Sequence, residues 1–316
     1  MNFKEASIQL EHAGNILISL YKNLDGIKYL AVKKRKKYNE YYLKLGYNNE
    51  KLSKDDIDVI INEIEQKLLI KLDIKRMSPI EKVSYDISKI RQKGSPQDFS
   101  FLLKTPPIIS GQQAITIEGA GLTNGTLGAI IKLKNKKEQF LISNYHVIMG
   151  DTGCLGANII SNNHKIGELF WGLYNVYYDV AIAKITCENI KPGTSRYSYG
   201  DLKKLDHKTQ NVMITGKASG EETGKIYSRN ALVKVKKDWF KNQIIVKNLN
   251  SQEGDSGSIL VHNSTSKTKD VLGIIIGADQ NLTVANNLFN LFSNKIPSFV
   301  DPMCRVMPEI EFKSFI

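Results

Sequence analysis

Cysteine is scarce in this chain. Its 316 residues include three cysteines, Cys154, Cys187 and Cys304, and no two of them form a C-x-x-C pair. An odd number of widely spaced cysteines argues against a disulfide framework and against a zinc site. The sequence therefore predicts no metal and no other cofactor, and a protein of a reducing compartment, which we expect to be the cytoplasm.

Long apolar runs are also absent. The longest, such as Val271–Ala278, suit buried strands and are far shorter than the roughly 18 apolar residues that a membrane-spanning helix needs. The first residues, MNFKEASIQLEHAGN, carry charges early and lack the apolar stretch of a secretion signal. We therefore expect no membrane span and a soluble protein.

The charge is positive but diffuse. The formal net charge is +12, with hydrophobic residues at 41% and charged residues at 24%, which excludes wholesale disorder. The only basic cluster, Lys33–Lys37, leaves nucleic-acid binding open as a minor alternative. A solvated hairpin tip is the more frequent explanation of such a cluster, so nucleic acid is not an expected partner.

Residues 1–78 predict a small α+β domain, because apolar positions recur first at helical and then at alternating spacing. Ser53 is a predicted helix N-cap, followed by acidic residues near the positive helix end. The basic cluster is expected to form the turn of an antiparallel hairpin. In chain order the predicted elements are a helix over 3–22, strands over Ile27–Val32 and Glu40–Tyr47, a helix from Ser53, and a strand over Ile70–Met77.

Residues 79–112 are predicted to be a linker. The segment Ile80–Ile90 has a pattern compatible with a helix, but Gly94-Ser95-Pro96 and Pro106-Pro107 are typical of connecting chain. From residue 113 to 316, short apolar runs alternate with turn-forming residues and no long helical pattern intervenes. This second region predicts an all-β barrel or sandwich.

Three residues in this β region suggest nucleophilic catalysis, which needs a nucleophile, an imidazole base and a carboxylate that orients it. Ser256 lies in the turn Gly254-Asp255-Ser256-Gly257, His146 follows a predicted strand, and Asp179 opens another. Each has a plain structural explanation when taken alone: a turn serine, a structural histidine, or an aspartate solvated at a strand start. Their joint occurrence favours a catalytic site.

At these residues the chain resembles the chymotrypsin-like serine peptidases, and more narrowly the bacterial trypsin-like peptidases related to the plant narrow-leaf protein. The chain order His146, Asp179, Ser256 is that of the clan. The segments that carry the resemblance lie within residues 125–286. They are GTLG (125–128), SNYHV (143–147), IGEL (166–169), DVAIA (179–183), KPG (191–193), TGKI (223–226), EGDSGS (253–258) and TVAN (283–286).

The resemblance implies an all-β double barrel, with the α+β domain before it and an active site in the cleft between two six-stranded barrels. It implies peptide hydrolysis through an acyl-enzyme, with Ser256 as nucleophile, His146 as general base and acid, and Asp179 orienting the histidine. The backbone N–H groups of Gly254 and Ser256 would bind the oxyanion. The expected partner is a protein or peptide substrate.

The chain departs from the family at its specificity positions. Ile276 occupies the place of a serine that in relatives hydrogen-bonds the catalytic aspartate, so the resemblance leaves the support of Asp179 open. Asn250 stands where the fold often carries a specificity residue, and with Ile276 and Ala278 it is expected to contact substrate. Ile108 resembles an activation terminus that would pair with Asp255, but it follows two prolines and linker is the favoured interpretation.

Three functions compete at this level. The first is a regulated intracellular bacterial serine endopeptidase whose residues 1–78 bind a regulatory partner. The second is a catalytically silent scaffold of the same fold. The third is a basic nucleic-acid-binding protein, and the only sequence feature that supports it is the cluster Lys33–Lys37. Substrate, cleavage preference, pathway and any homo-oligomer are left open.

Overall fold

A computed structural model gives the architecture of the chain. Within the described residues, no helix is both long enough and apolar enough to cross a membrane. The predicted helix-like segment Ile80–Ile90, Ile108 and Cys304 lie outside the described residues. Described are residues 1–21, 26–35, 40–48, 51–68, 72–76, 114–117, 125–150, 154–188, 196–200, 202, 211–236, 238–263, 268–279, 282–292 and 312–315.

The N-terminal region has the predicted helix-strand-strand-helix-strand order. β1 and β2 form an antiparallel hairpin, and β3 lies parallel to β2. Ser53 caps the second helix as expected, because its hydroxyl accepts the Asp56 N–H at 3.1 Å and its own N–H donates to the Asp56 carboxylate at 3.1 Å. The elements are α1 (Phe3–Tyr21), β1 (Ile27–Arg35), β2 (Glu40–Tyr47), α2 (Lys54–Leu68) and β3 (Leu72–Arg76).

The prediction of a turn at the basic cluster is wrong for its first three residues. Lys33, Lys34 and Arg35 continue β1, and each pairs with a residue of β2 between Glu40 and Tyr42. Their cations lie over tyrosine rings, with the Lys33 ammonium 3.3 Å from the centroid of Tyr227. Strand pairing together with these cation–π contacts keeps the segment extended.

The first barrel is antiparallel and closes on itself. β4 pairs with both β5 and β8, while β6 pairs with β7, and only two residues separate β5 from β6. The sheet therefore curls until its two sides meet at the β5–β6 segment. Its strands are β4 (Ala114–Ile117), β5 (Gly125–Thr126), β6 (Ala129–Leu133), β7 (Gln139–Ser143), β8 (Asn158–Ser161), β9 (His164–Tyr174) and β10 (Asp179–Ile185).

The second barrel closes by direct strand pairing, because the long strand β13 pairs with both β12 and β14. A parallel strand, β11 (Arg196–Tyr199), joins β16, and β18 (Phe312–Phe315) joins β6 of the first barrel. The barrel strands are β12 (Asn211–Gly216), β13 (Gly220–Val235), β14 (Asp238–Lys247), β15 (Ile259–His262), β16 (Thr268–Ala278) and β17 (Leu282–Asn287).

Both barrels have the same strand connectivity. If the strands of each are numbered one to six along the chain, counting β5 and β6 as one, the order around each ring is 1-4-5-6-3-2. The predicted all-β double barrel, preceded by α+β elements, is thereby confirmed. A shared apolar cluster packs one barrel on the other, since Ile142 and Ile182 of the first belong to it with Met213 and Ile274 of the second.

The N-terminal sheet continues the second barrel. Tyr29–Ala31 of β1 pair with Ala231–Val233 in the far half of β13. Leu232 and Trp239, both barrel residues, are buried in the apolar cluster of the N-terminal helices and strands. Whether residues 1–78 form a domain of their own therefore stays a prediction, while the sheet and a core are common to both parts.

Truncation of Leu232 tests this shared core. Leu232→Ala should lower the free energy of unfolding by about 2–5 kcal/mol, because it leaves a cavity between α1, β1 and β13. Urea denaturation followed by circular dichroism measures the change. Val59→Ala, at a side chain that is 61% exposed on α2, is the matched control. A Leu232→Ala loss no larger than that of the control would contradict the shared core.

Candidate active site

His146 lies on a single helical turn that follows β7. The turn, α3 (Tyr145–Ile148), begins directly after Asn144, and its residues Val147 and Ile148 are buried in the first barrel. The apolar side of the turn thus fixes the direction of the histidine. The imidazole is 11% exposed, so that it is accessible yet mostly shielded from water.

Asp179 begins β10 and is fully buried. Its Oδ2 lies 2.5 Å from the His146 Nδ1, and its Oδ1 accepts the His146 backbone N–H at 3.0 Å. A carboxylate in this position makes Nδ1 the protonated ring nitrogen, which leaves Nε2 as a proton acceptor. The structure therefore brings two of the three predicted residues into direct contact.

Two asparagines hold the backbone of Asp179. Asn286 of β17 accepts the Asp179 N–H at 2.7 Å, and the Asn144 side chain donates to the Asp179 carbonyl at 2.7 Å. Both side chains are fully buried. In the sequence, Asn144 and Asn286 stand within the segments SNYHV and TVAN, and no pattern there indicates that they bind Asp179.

Ser256 lies in a turn whose backbone is fixed by two glycines. Gly254 has a φ of +107° and Gly257 a φ of +96°, conformations that residues with a Cβ rarely adopt. A Cβ on Gly257 would lie 2.2 Å from the Thr126 carbonyl oxygen and 2.3 Å from the Ser143 hydroxyl. Gly257 therefore allows close contact between this turn and the first barrel.

The turn is docked on Thr126 of β5. The Thr126 N–H donates to the Ser256 carbonyl at 2.7 Å, and the Thr126 hydroxyl donates to the Gly254 carbonyl at 2.8 Å. A Cβ on Gly125 would touch both Val147 of the histidine turn and the Ser256 carbonyl. The Ser256 turn and the His146 turn thus meet at β5, on the border between the barrels.

Backbone donors are distributed unequally along the Ser256 turn. The N–H groups of Asp255, Gly257 and Ser258 each donate to a carbonyl at 3.0 Å. Among the described residues, no acceptor bonds the N–H of Gly254 or that of Ser256. These are the two donors expected to bind an oxyanion.

The proposed nucleophile and base are not hydrogen-bonded to one another. The Ser256 Oγ and the His146 Nε2 are both buried, and within the described part of the chain neither has a hydrogen-bond partner. Burying a hydroxyl or a ring nitrogen without a hydrogen-bond partner is unfavourable in free energy. Catalytic hydrogen bonds of ligand-free enzymes are often long or misaligned, so the missing bond does not contradict a catalytic role for the two residues.

Asp255 has a structural role of its own. Its carboxylate accepts the N–H groups of Ala218 and Ser219 at 2.9 and 3.1 Å on one oxygen and that of Gln252 at 2.7 Å on the other. The side chain is fully buried. A buried carboxylate is tolerated when several N–H groups bind it, so Asp255 ties the Ser256 turn to the β12–β13 turn.

Two of the three predicted substrate-binding residues are linked indirectly through Thr283. Asn250 is exposed, and its neighbour Ser251 hydrogen-bonds the Thr283 hydroxyl at 2.9 Å. Ala278 is the register partner of Thr283, so Thr283 joins the two. The third, Ile276, is 1% exposed and packs in a core cluster with Tyr29 and Phe240. Their contact with substrate stays a prediction.

The segment before Asp179 also faces the N-terminal helix. A cavity of about 320 Å³ lies between α1 and this segment, with Ser7 and Glu11 on one side and Tyr177 and Tyr178 on the other. Burial raises the pKa of the Tyr177 phenol, and the nearby Glu11 carboxylate raises it further. The phenol therefore stays neutral at ordinary pH.

No cluster of three histidine, cysteine, aspartate or glutamate side chains suited to a metal ion occurs among the described residues. Cys154 is exposed and Cys187 half-buried, and neither forms a disulfide with another described residue.

Asp255 offers a test of the turn. Asp255→Asn keeps the size of the side chain but replaces one acceptor oxygen with an N–H₂ group that faces a backbone donor. We expect the free energy of unfolding to fall by about 1–3 kcal/mol, as measured by urea denaturation. Asp58→Asn on the exposed side of α2 is the control, expected to change it by less than about 0.5 kcal/mol. Equal losses would contradict the anchoring role.

Comparison with solved structures finds bacterial serine proteases. Protease A of Thermobifida fusca is 16% identical with a TM-score of 0.45, over 60% of this chain and 96% of that one. Nocardiopsis protease is 16% identical with a TM-score of 0.46, over 60% and 96%. The chymotrypsin of Cellulomonas bogoriensis is 16% identical with a TM-score of 0.43, over 59% and 94%. No family model matches the chain, and no curated protein matches it.

Proposed function

We propose that this protein is a serine endopeptidase that hydrolyses peptide bonds through an acyl-enzyme. The observation that carries the proposal is the bond between the buried Asp179 carboxylate and the His146 Nδ1 at 2.5 Å. It orients an imidazole whose other nitrogen is unpaired, on the border where the Ser256 turn meets the first barrel. An orienting carboxylate, a base and a nearby serine are the components of acyl transfer.

The first half of the reaction forms the acyl-enzyme. The Ser256 Oγ attacks the peptide carbonyl carbon while its proton moves to the His146 Nε2. The tetrahedral intermediate then collapses, its C–N bond breaks, and the leaving amine takes the proton from Nε2. Asp179 remains ionised throughout and stabilises the imidazolium through the Nδ1–H bond.

The second half releases the acid. A water molecule gives its proton to the His146 Nε2 and attacks the acyl carbonyl carbon, and Ser256 leaves with that proton. In both halves, negative charge develops on the carbonyl oxygen. The N–H groups of Gly254 and Ser256 are the donors for this oxyanion, because they are unpaired in a turn whose other N–H groups are engaged.

The substrate is a protein or peptide, and the site offers no charged specificity residue among the predicted contacts. Asn250 is neutral and exposed, and Ala278 is small and nearly buried. We therefore propose a primary pocket that accepts a neutral side chain, with Asn250, Ala278 and the backbone at Ile276 along its wall.

Activation by a freed N-terminus is not part of the proposal. In zymogens of this fold the aspartate beside the nucleophile needs a new ammonium group as partner. Here the Asp255 carboxylate already accepts three backbone N–H groups. A fourth partner would have to displace one of them, so the chain is proposed to be competent without cleavage.

The finer assignments rest on the sequence, the location on its few and widely spaced cysteines and the others on the resemblance. They are a relation to the bacterial peptidases akin to the narrow-leaf protein, a cytoplasmic location and a regulatory partner for residues 1–78. The cavity that α1 shares with Tyr177 and Tyr178, directly before Asp179, supports a regulatory role for that region. The nucleic-acid alternative is weakened, because Lys33, Lys34 and Arg35 lie against tyrosine rings.

Covalent labelling distinguishes the peptidase from a silent scaffold. A fluorophosphonate should modify the full-length chain at Ser256, as mapped by mass spectrometry of the labelled peptide. Labelling should vanish in Ser256→Ala and slow by a factor on the order of 10³ or more in His146→Ala. Ser258→Ala, which removes another buried hydroxyl from the same turn, should label normally. An unlabelled wild type would contradict the proposal.

The absence of an activation step has its own test. The intact mass of the labelled protein should equal that of the full chain plus one label, with Met1–Ile316 uncleaved apart from any removal of the initiator methionine. This is expected because Asp255 needs no new terminus. Labelling confined to chains cleaved before Ile108 would show that a freed terminus is required.

A further inference from the structure

We infer that Asn286 and Gln243, a buried amide pair of the second barrel, position Asp179 and thereby His146. This inference rests on the proposed function, since it assigns a task within that site. The pair acts on the backbone around Asp179, so both are positioning residues. They take the place of the side-chain support that the chain lacks at Ile276, which is packed in the core.

The pair forms a continuous hydrogen-bonded chain. Asn286 accepts the Asp179 N–H at 2.7 Å, and its amide group donates to the Gln243 side-chain oxygen at 2.7 Å. Gln243 in turn donates to the Tyr177 carbonyl at 2.9 Å and to the Lys241 carbonyl. Each amide thus uses both its oxygen and its nitrogen.

The pair has little freedom to move. Asn286 and Gln243 are register partners on the adjacent strands β17 and β14, so their side chains emerge side by side. Both are fully buried. Buried amides that lose a partner carry a penalty of about 1–3 kcal/mol, which means that breaking any one link leaves another group unpaired. The chain therefore behaves as one unit.

The segment that leads into Asp179 is held from the same side. The Asn175 side chain accepts the N–H groups of Tyr177 and Tyr178 and forms a tight turn between β9 and β10. The Lys241 N–H donates to the Val176 carbonyl of this turn. Backbone and side-chain bonds from β14 and β17 thus fix residues 176–179, although this segment belongs to the first barrel.

Three links join the second barrel to the proposed general base: Asn286 to the Asp179 backbone, the Asp179 carboxylate to Nδ1, and the carboxylate to the His146 N–H. The serine turn belongs to the second barrel as well. One barrel therefore carries the nucleophile and also anchors the carboxylate that orients the base. This arrangement couples the relative position of the barrels to the geometry of proton transfer.

The test compares Asn286→Ala and Gln243→Ala with the wild type in the full-length chain. Each should slow fluorophosphonate labelling of Ser256 by about 10- to 100-fold, because displacements near 1 Å in a catalytic site have effects of this size. Ser228→Ala is the matched control: it removes a buried hydroxyl that bonds the Val32 and Asn230 carbonyls in the same sheet. It should change the rate by less than about 2-fold, since changes that share no partner with the Asn286–Gln243 chain act independently of it.

A proton spectrum separates positioning from general destabilisation. The short bond from the His146 Nδ1–H should give a low-field resonance that disappears in His146→Ala. Asn286→Ala and Gln243→Ala should shift or broaden it at temperatures where circular dichroism shows both folded, whereas Ser228→Ala should leave it unchanged. Gln243 does not contact Asp179, so an effect of Gln243→Ala on the resonance shows that its influence passes through Asn286. The Gln243→Ala variant also tests the inference if Asn286→Ala does not fold.

The double variant tests whether the amides act together. Its labelling rate should match that of the slower single variant, because either change already breaks the chain. Rates that multiply would overturn the claim of one unit, and wild-type resonance and labelling in both single variants would overturn the inference. If the wild type carries the resonance but is never labelled, the proposed peptidase function fails while the spectrum still decides on positioning.

Discussion

The buried carboxylate of Asp179 is the constraint around which this site is organised. An ionised group without water is unfavourable by several kcal/mol unless charges or donors compensate it. Here both carboxylate oxygens are bonded to His146, and Asn144 and Asn286 bind the backbone carbonyl and N–H of Asp179 itself. Satisfying this one residue fixes the rotamer of the histidine, the entry of β10 and the approach of β17.

A second buried carboxylate, that of Asp255, organises the serine side of the site in the same manner. Its three backbone donors come from the β12–β13 turn and from Gln252. The N–H groups of Gly254 and Ser256 are left unpaired by this arrangement. Main-chain N–H groups bind both carboxylates, and the His146 ring nitrogen Nδ1 also binds that of Asp179.

The two barrels meet through small and polar contacts at the site and through apolar packing beneath it. Thr126 binds the Ser256 turn, while Gly257 permits the approach. The ring of Tyr145, next to His146, has its centroid 5.4 Å from that of Tyr174. The Tyr174 centroid in turn lies 5.8 Å from that of Phe240 in the second barrel. The N-terminal sheet adds to the same second barrel through β1. Strands β1–β3 therefore belong to the same sheet as β15, the strand that follows the Ser256 turn.

The sequence by itself determined most of the local elements and indicated the candidate site. Periodicity predicted α1 and β2, residue preference predicted the Ser53 cap, and the Gly254–Gly257 turn together with His146 and Asp179 indicated the site. It did not predict the long strand β9, because glycine and charged residues interrupt its alternation, nor the β1–β13 pairing. Tertiary structure alone decided the support of Asp179. Asn286 and Gln243 lie far along the chain from it, and only strand register brings them beside it. Hydrogen bonds between distant strands leave no periodic signal in a single sequence.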